Sequence, residues 1–453
     1  VNPQIFRKYD IRGVVDEDIS EQDVVSIGKG VGTYLRAENR PQVIVGRDCR
    51  LSSDRYRELL VEGLLATGCD VLDIGVCPTP VFYFSIRHFK RHGGVIITAS
   101  HNPPEYNGFK VCSGYDTLFG KQIQEVRRII DNDDFTKGAG RVETADPVTP
   151  YRKFLQHNVK LSKSMKVGID AGNGTAGVVA VPILKELGCE VFDLYCDMDG
   201  SFPNHEADPT VVENMGDLVA LVRERELDLG IGFDGDGDRI GVIDDRGNII
   251  WGDQLMIIYA REILTRKPGA VFISEVKCSQ TLYDDIERHG GRAIMWKTGH
   301  SLIKQKMKEV KAELAGEMSG HMFFADRYFG YDDAIYASCR LLEILGATGK
   351  TISELLSDVP KTYTTPEIRV PCPDDKKFEV VKDVTAYFRQ RQKIIDIDGA
   401  RVLFEGGWGL VRASNTQPVL VLRFEAFSPD RLSEIRSRVE SVLADIQNRH
   451  VGH

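Results

Sequence analysis

Short apolar runs that stop abruptly in polar or glycine-rich loops recur along most of the chain. Gln42–Val45 in PQVIVGRDCR, Lys166–Ile169 in KVGIDAGNG and Ala270–Ser274 in AVFISEVKCS each read as a buried strand followed by a loop and a helix-like stretch. Further along, each third of this region has a second apolar run that ends in an unusual loop: GVIITASHNP, LGIGFDGDGDR and AELAGEMSGH. Identity between the thirds is low, but the shared strand–loop–helix–strand layout predicts three related mixed α/β units. Ligand loops belong at the carboxyl ends of such strands, and the unusual loops fall there. The C-terminal part differs. PEIRVPC predicts a strand and Asp375–Gln392 a helix, and three short strands follow in ARVLFEGGWGLVRASNTQPVLVLRFEAF. A closing helix starts at Ser428-Pro429, hydroxyl at the N-cap and Pro at the first helical position, with Leu432, Ile435, Val439 and Val442 at helical spacing. This part reads as a small α+β domain. The expected domains are 1–146, 147–248, 249–360 and 361–453.

The length of 453 residues allows two to four domains at about 100–200 residues each. No apolar run approaches the roughly 18 residues of a membrane span, and the polar N-terminus with Arg7 and Lys8 shows no signal peptide. A net charge of -9 argues against nucleic acid and anionic membranes as partners. An anionic substrate then needs a local basic cluster inside an acidic whole. Nine cysteines, odd in number and without a CxxC pair, point away from a disulfide framework or zinc site and toward a reducing, cytoplasmic compartment.

Five loops carry candidate chemistry. In Asp234-Gly-Asp236-Gly-Asp238-Arg239 three carboxylates alternate with glycines after a buried strand. Clustered negative charge wants a hard divalent cation, and an all-oxygen set favours Mg²⁺. A solvated acidic turn is the competing reading. An EF-hand fails, because Arg239 stands where the loop needs Gly, Asp245 where it needs Glu, and a strand follows. Thr98-Ala-Ser100-His101-Asn102-Pro103 is stiffened by Pro103 and Pro104 and offers Ser100 as a nucleophile. It reads otherwise as a plain turn serine. A Ser100/His101 hydrolase is disfavoured, because neighbours in an extended loop point to opposite sides and no GxSxG elbow is present. In Gly316-Glu317-Met318-Ser319-Gly320-His321, Glu317 and Ser319 project to one side, suited to sugar hydroxyls, or form only a structural turn. Arg412-Ala413-Ser414-Asn415-Thr416 gathers a guanidinium, hydroxyls, an amide and backbone N–H groups suited to phosphate, or is a hairpin turn. Gly172-Asn-Gly174-Thr-Ala-Gly177, with Asp193 downstream, matches a dinucleotide fingerprint. However, Asp170-Ala171 separate strand from glycine, and a nicotinamide enzyme leaves the other loops without a task. These glycines are expected to serve tight strand–helix packing.

The TASHNP, DGDGDR, GEMSGH and RASNT loops, in that order and one per expected domain, resemble the α-D-phosphohexomutase family, most of all its bacterial phosphomannomutase/phosphoglucomutase branch. The resemblance covers essentially the whole chain. It implies three mixed α/β domains plus a fourth like the TATA-box-binding protein, around a central cleft. It implies reversible interconversion of hexose 1-phosphate and hexose 6-phosphate (mannose or glucose) through a phosphoserine at Ser100 and a hexose 1,6-bisphosphate. By the same resemblance Asp234, Asp236, Asp238 and the Ser100 phosphate hold Mg²⁺. Glu317 and Ser319 bind sugar hydroxyls O3 and O4, and Arg412, Ser414, Asn415 and Thr416 clamp the non-transferring phosphate. Tyr9, Arg12, Lys110, Arg239, Lys277, His300 and His321 match family active-site positions, and His101 lies beside the nucleophile. Lys110 and His321 are both candidates for the acid/base role. A phosphoglucosamine mutase, or a non-catalytic protein binding Mg²⁺ and sugar phosphate, is the alternative.

Overall fold

The computed structural model describes residues 1–414 and 417–451. One four-strand arrangement occurs three times. In the first unit Gln42–Arg47, Asp70–Val76 and Gly93–Ile97 run parallel, and Tyr106–Ser113 returns antiparallel beside Gly93–Ile97. The second repeats this with Lys166–Asp170, Glu190–Leu194, Leu229–Phe233 and Ile240–Ile243. The third does so with Val271–Glu275, Arg292–Trp296, Leu314–Gly316 and Met322–Phe324. The middle strand of each unit is an addition to the layout expected from the sequence. Helices cover these sheets, so central strands such as Val43–Val45 and Leu229–Phe233 are buried along their length and read as continuous apolar runs. The first sheet is extended by Ile11–Val14 and Val142–Thr144.

In all three units the loop between the last parallel strand and its antiparallel return carries the candidate chemistry: 98–105, 234–239 and 317–321. These loops therefore occupy equivalent places in three copies of one topology.

The C-terminal domain is an antiparallel sheet in the order Tyr363–Thr364, Val419–Ala426, Gly407–Ala413, Ala400–Phe404, Lys393–Ile395, with Ile368–Pro371 also on Val419–Ala426. It has two more strands than expected, Tyr363–Thr364 and Lys393–Ile395, because runs of two or three residues carry little apolar pattern. Helices Lys377–Arg389 and Pro429–Val451 bury Val380, Val384, Phe388, Ile435, Val439 and Leu443 against it. The Ser428 hydroxyl accepts the Arg431 N–H at 3.2 Å, the cap expected from the sequence.

The first three units share one apolar core running from Ile44 through Phe82 and Val167 to Ile352. The C-terminal domain meets the third through a smaller, separate contact, in which Val276 packs against Trp408 and Leu410 beside a set of polar bonds. There the buried Arg401 donates to the carbonyls of Val276 and Cys278, both at 2.7 Å, and stacks 3.7 Å from the Trp408 ring.

The glycines of the 172–177 segment hold the second unit's loops together rather than seating a dinucleotide. A Cβ on Gly174 would lie 2.6 Å from the Gly235 carbonyl oxygen, and one on Gly177 2.7 Å from Cα of Cys196. Gly174 thus supports the aspartate loop, which differs from the strand–helix packing expected of it. Gly174→Ala should force backbone apart and lower stability by about 1–3 kcal/mol. Gly216→Ala, with nothing within 4 Å of the new methyl, should be neutral or slightly stabilising. Thermal unfolding of the two variants beside the parent checks the contrast; equal melting temperatures would remove the supporting role from Gly174.

Candidate active site

Ser100 sits at the end of Gly93–Ile97 with a left-handed backbone, φ 52°. Its N–H donates to the Thr98 hydroxyl at 2.9 Å, and its own hydroxyl donates to Asp234 Oδ2 at 2.6 Å. The left-handed turn brings Ser100 Oγ to 3.2 Å from His101 Nδ1. The expectation that these neighbours face opposite ways is wrong, because it assumed an extended backbone. Burial, with Arg239 and Arg12 nearby, holds His101 well below the usual imidazole range, so the ring beside Ser100 is neutral.

Arg50, which sequence reasoning missed, fixes this loop from behind. It lies almost fully buried and donates to four carbonyls: Ser100 (2.9 Å), Asn102 (2.5 Å), Pro103 (2.6 Å) and Tyr106 (3.0 Å). Its only sequence signal is its place after the strand in VGRDCR. Arg12 pairs with Asn102 and Asp10 at the same mouth.

Asp234, Asp236 and Asp238 are all buried, and one oxygen of each lies within 4.8 Å of the others. Gly235 makes the approach possible, since a Cβ there would stand 2.4 Å from the Ser100 carbonyl oxygen. Lys110 Nζ donates to Asp236 Oδ2 at 2.7 Å and to Asp238 Oδ2 at 2.6 Å. The Thr79 hydroxyl adds a bond to Asp236 at 2.5 Å. Asp234 Oδ1 accepts the N–H groups of Asp238 and Arg239. Asp236 Oδ1 and Asp238 Oδ1 are buried without any donor. Buried carboxylate oxygens left in this way are costly, and two of them in an all-oxygen cluster fit a hard divalent cation. Burial and the two neighbouring carboxylates push Asp234 well above the usual range. Burial acts the same way on Asp236, but Lys110 and Thr79 outweigh it and hold that carboxyl down. Burial alone would lower Lys110; Asp236 and Asp238 more than offset it, so the ammonium stays charged.

His321 and Arg239 connect this centre to the third unit. Arg239 Nε donates to His321 Nε2 at 3.0 Å, while His321 Nδ1 lies 3.6 Å from Asp238 and 3.3 Å from Asp332. Burial lowers His321 but these carboxylates outweigh it and raise it. His300 stacks on His321 and meets the Tyr9 ring edge-on, and burial with Lys304 nearby holds it well below its usual value. Asp332, fully buried between His321 and Lys304, is a second residue the sequence did not reveal.

On the far side Glu317 Oε1 accepts the Gly299 N–H at 2.8 Å, and Ser319 Oγ lies 3.5 Å from Glu317 Oε2, on one side of the loop as expected. Lys277 is buried 3.2 Å from Glu367 and 3.8 Å from Glu275. Glu275, also missed, accepts from Lys277 N–H, the Thr298 hydroxyl and Met318 N–H. Arg412 pairs with Asp398 at 3.0 Å, and Ser414 accepts the Gln417 N–H at 3.2 Å. Asn415 and Thr416 lie outside the described residues. Arg12, Lys110, Arg239, Lys277 and Arg412 each lie beside carboxylates, Asp10, Asp236 and Asp238, Asp208, Glu275 and Glu367, and Asp398 respectively, so the cations expected for an anionic substrate come interleaved with acidic groups. No helix among the described residues is long and apolar enough to cross a membrane.

Four family models match in chain order. Phosphoglucomutase/phosphomannomutase alpha/beta/alpha domains I, II and III match residues 3–137, 149–247 and 251–363, and the C-terminal domain of the same family matches 367–442. A phosphomannomutase/phosphoglucomutase of Pseudomonas aeruginosa is 47% identical over 98% of this chain and 96% of its own. A phosphoglucomutase of Neisseria meningitidis is 42% identical over 98% and 97%. The crystal structure of a phosphoglucomutase/phosphomannomutase family protein from Burkholderia thailandensis superposes with a TM-score of 0.93 at 40% identity, covering 98% of this chain and 97% of that one. With its four domains matched in order and its whole length aligned at this identity, the chain belongs to the phosphoglucomutase/phosphomannomutase family.

Proposed function

We propose that this protein is a phosphohexomutase that reversibly converts hexose 1-phosphate to hexose 6-phosphate, with glucose and mannose as the hexoses. The observation that carries the reading is Ser100 hydrogen-bonded to a buried carboxylate triplet that keeps two unpartnered oxygens. The names of the relatives at 42–47% identity support it. A phosphoglucosamine mutase or a silent binding protein is the weaker reading beside them.

In this reading Ser100 carries the phosphoryl group. Its Oγ–P bond breaks as a substrate hydroxyl oxygen bonds to phosphorus; the hydroxyl proton passes to a base, and a proton is returned to Ser100 Oγ, which leaves as the free hydroxyl. The product is a hexose 1,6-bisphosphate, which turns over in the cleft and returns its other phosphoryl group to Ser100. Asp234, Asp236, Asp238 and the phosphoserine would hold Mg²⁺, which supplies charge neutralisation to the donor phosphate. A phosphoserine brings about -1.5 to -2 charges onto three carboxylates. Lys110 and Arg239 offset part of the excess. Lys110, clamped cationic by two aspartates, is better suited to that than to accepting a proton. His321, which faces both the metal loop and the sugar loop, is the better-placed acid/base group. Glu317 and Ser319 grip O3 and O4. Arg412, Ser414, Asn415 and Thr416 hold the other phosphate, and Tyr9, Lys277 and His300 line the path between. The nine unpaired cysteines accord with a cytoplasmic setting.

A coupled assay with glucose 1-phosphate, primed with glucose 1,6-bisphosphate, tests the activity directly. Ser100→Ala should lower turnover by about three orders of magnitude or more while leaving the melting temperature in place. The intact mass of the active parent should include one phosphate that the variant lacks. Full activity in the variant would end the phosphoserine assignment.

Chelator-treated enzyme is expected to be inactive and to recover with Mg²⁺, and Mg²⁺ should raise its melting temperature. Asp238→Asn should need more Mg²⁺ for half-recovery. Undiminished turnover without metal would refute the metal site.

Glucose and mannose share O3 and O4 configuration and differ at C2. Glu317→Ala should therefore weaken both 1-phosphates by similar factors, read as kcat/KM; a loss confined to one sugar would reassign Glu317.

A further inference from the structure

The backbone at Thr298 and Gly299 is tied to three domains at once. The Thr298 N–H donates to Asp398 Oδ2 of the C-terminal domain at 3.1 Å. The Thr298 carbonyl accepts the Tyr9 hydroxyl of the first domain at 3.2 Å. Within the third domain the Thr298 hydroxyl donates to Glu275 at 2.9 Å, and the Gly299 N–H donates to the sugar-loop Glu317 at 2.8 Å. Gly299 has φ 130°, and a Cβ there would stand 2.5 Å from the Tyr9 hydroxyl oxygen, so only glycine lets the domains meet here.

The Asp398 oxygen that receives Thr298 is the same oxygen that receives Arg412 Nε, at 3.0 Å. The pair is largely buried, with side-chain exposures of 18% and 7%. Gly399 has φ 89°, and a Cβ there would lie 2.7 Å from Arg412 Cβ, which is how the turn after Asp398 fits against Arg412. Lys8 and Lys297 bring further positive charge to the same corner. A guanidinium anchored at Nε has its Nη edge directed away from the anchor, and that edge makes bidentate contact with a phosphate. Asp398 and Arg412 belong to one domain, so their pairing survives any swing of that domain. The bond to Thr298 crosses domains and exists only when they are together.

We propose that Asp398 is a positioning residue for the mutase reaction: its one oxygen aims Arg412 at the substrate's non-transferring phosphate and registers the C-terminal domain against the Thr298 N–H, one residue before the Gly299 N–H that orients Glu317. This rests on the mutase reading above. It makes phosphate capture and sugar-loop alignment parts of one closing movement.

The test compares the parent, Asp398→Asn and Asp398→Ala in three measurements. These are calorimetric binding of glucose 6-phosphate, KM and kcat for glucose 1-phosphate at saturating bisphosphate, and hydrogen exchange of the peptide around Thr298 with glucose 6-phosphate bound. Asp398→Ala should weaken binding and raise KM by about tenfold, lower kcat less, and speed exchange at Thr298. Asp398→Asn keeps a carbonyl acceptor and should recover most of both the affinity and the protection. A merely structural role would instead lower melting temperature and active fraction while leaving KM and exchange alone. The proposal is overturned by a folded Asp398→Ala with parental KM, affinity and exchange. It is equally overturned if Asn and Ala lose affinity alike while Thr298 stays protected. Should the Ala variant not fold, Asp398→Glu, which shifts the carboxylate by one methylene, must raise KM at unchanged melting temperature, and an unchanged KM overturns the idea. A parent that binds glucose 6-phosphate but does not interconvert the phosphates would refute the mutase reading, and the binding and exchange arms would still decide on Asp398.

Discussion

Concentrated negative charge, held out of water, is the constraint around which the molecule is arranged. Asp234, Asp236 and Asp238 lie within five residues of one another and are at most 1% exposed. Taking an ionised carboxylate out of water costs several kcal/mol unless it is paired, and the proposed phosphoserine adds to the load. Donors from three directions answer it. The loop's own N–H groups serve Asp234, Thr79 and Lys110 serve Asp236, and Lys110 also serves Asp238. Lys110 comes from the returning strand of the first unit, so neutralising the second unit's loop requires the first to be docked against it. The candidate site thus lies on the interface of the first two units, where these ion pairs add to the apolar core the units share. The two oxygens left without donors are the part of the load that protein groups do not meet.

The same constraint accounts for the backbone. Ser100 reaches Asp234 only from a left-handed conformation, which a non-glycine residue holds when its surroundings over-determine it. Arg50 supplies that determination with four carbonyl contacts, and the Thr98 hydroxyl takes the Ser100 N–H. Gly235 and Gly174 then allow the aspartate loop to close onto the serine loop without a Cβ between them. A rigid loop keeps the reacting oxygen where charge is offset, and positioning of this kind is most of what phosphoryl transfer asks of a protein.

Much of this was legible in the sequence, for a physical reason. Loops such as DGDGDR and TASHNP put their chemistry in consecutive residues, so the repeat of three α/β units and the identity of Ser100, the aspartates and Glu317/Ser319 could be read from local pattern. Residues that act singly and through folding were not legible. Arg50, Glu275, Asp332 and Asp398 are isolated charged residues whose burial and partners come from segments far away in the chain. The middle strand of each unit and the short edge strands at 363–364 and 393–395 also escaped: most are runs of two to five residues that give little periodicity to measure, and the seven-residue Asp70–Val76 is interrupted by Asp73 and Gly75. The facing of Ser100 and His101 was misjudged because local sequence gives no signal for a left-handed residue outside glycine.

One topological position used three times explains how such different loops come to face one cleft. A loop between a parallel strand and its antiparallel return lies at the carboxyl edge of the sheet, so stacking three such units through a shared core brings the loops 98–105, 234–239 and 317–321 to a common side. That solution fixes the three loops relative to one another, because the core joining them is apolar and continuous. The fourth domain cannot be joined the same way if a bisphosphate is to turn over between two attacks. Its seam with the third domain is small: an apolar patch of Val276, Trp408 and Leu410 separate from the main core, plus Arg401 on two carbonyls and the Asp398–Thr298 bond, polar ties that can exchange protein partners for water at small net cost. A small seam apart from the main core suits the phosphate clamp proposed for the fourth domain, and the continuous apolar core beneath the other three loops suits chemistry that must stay fixed.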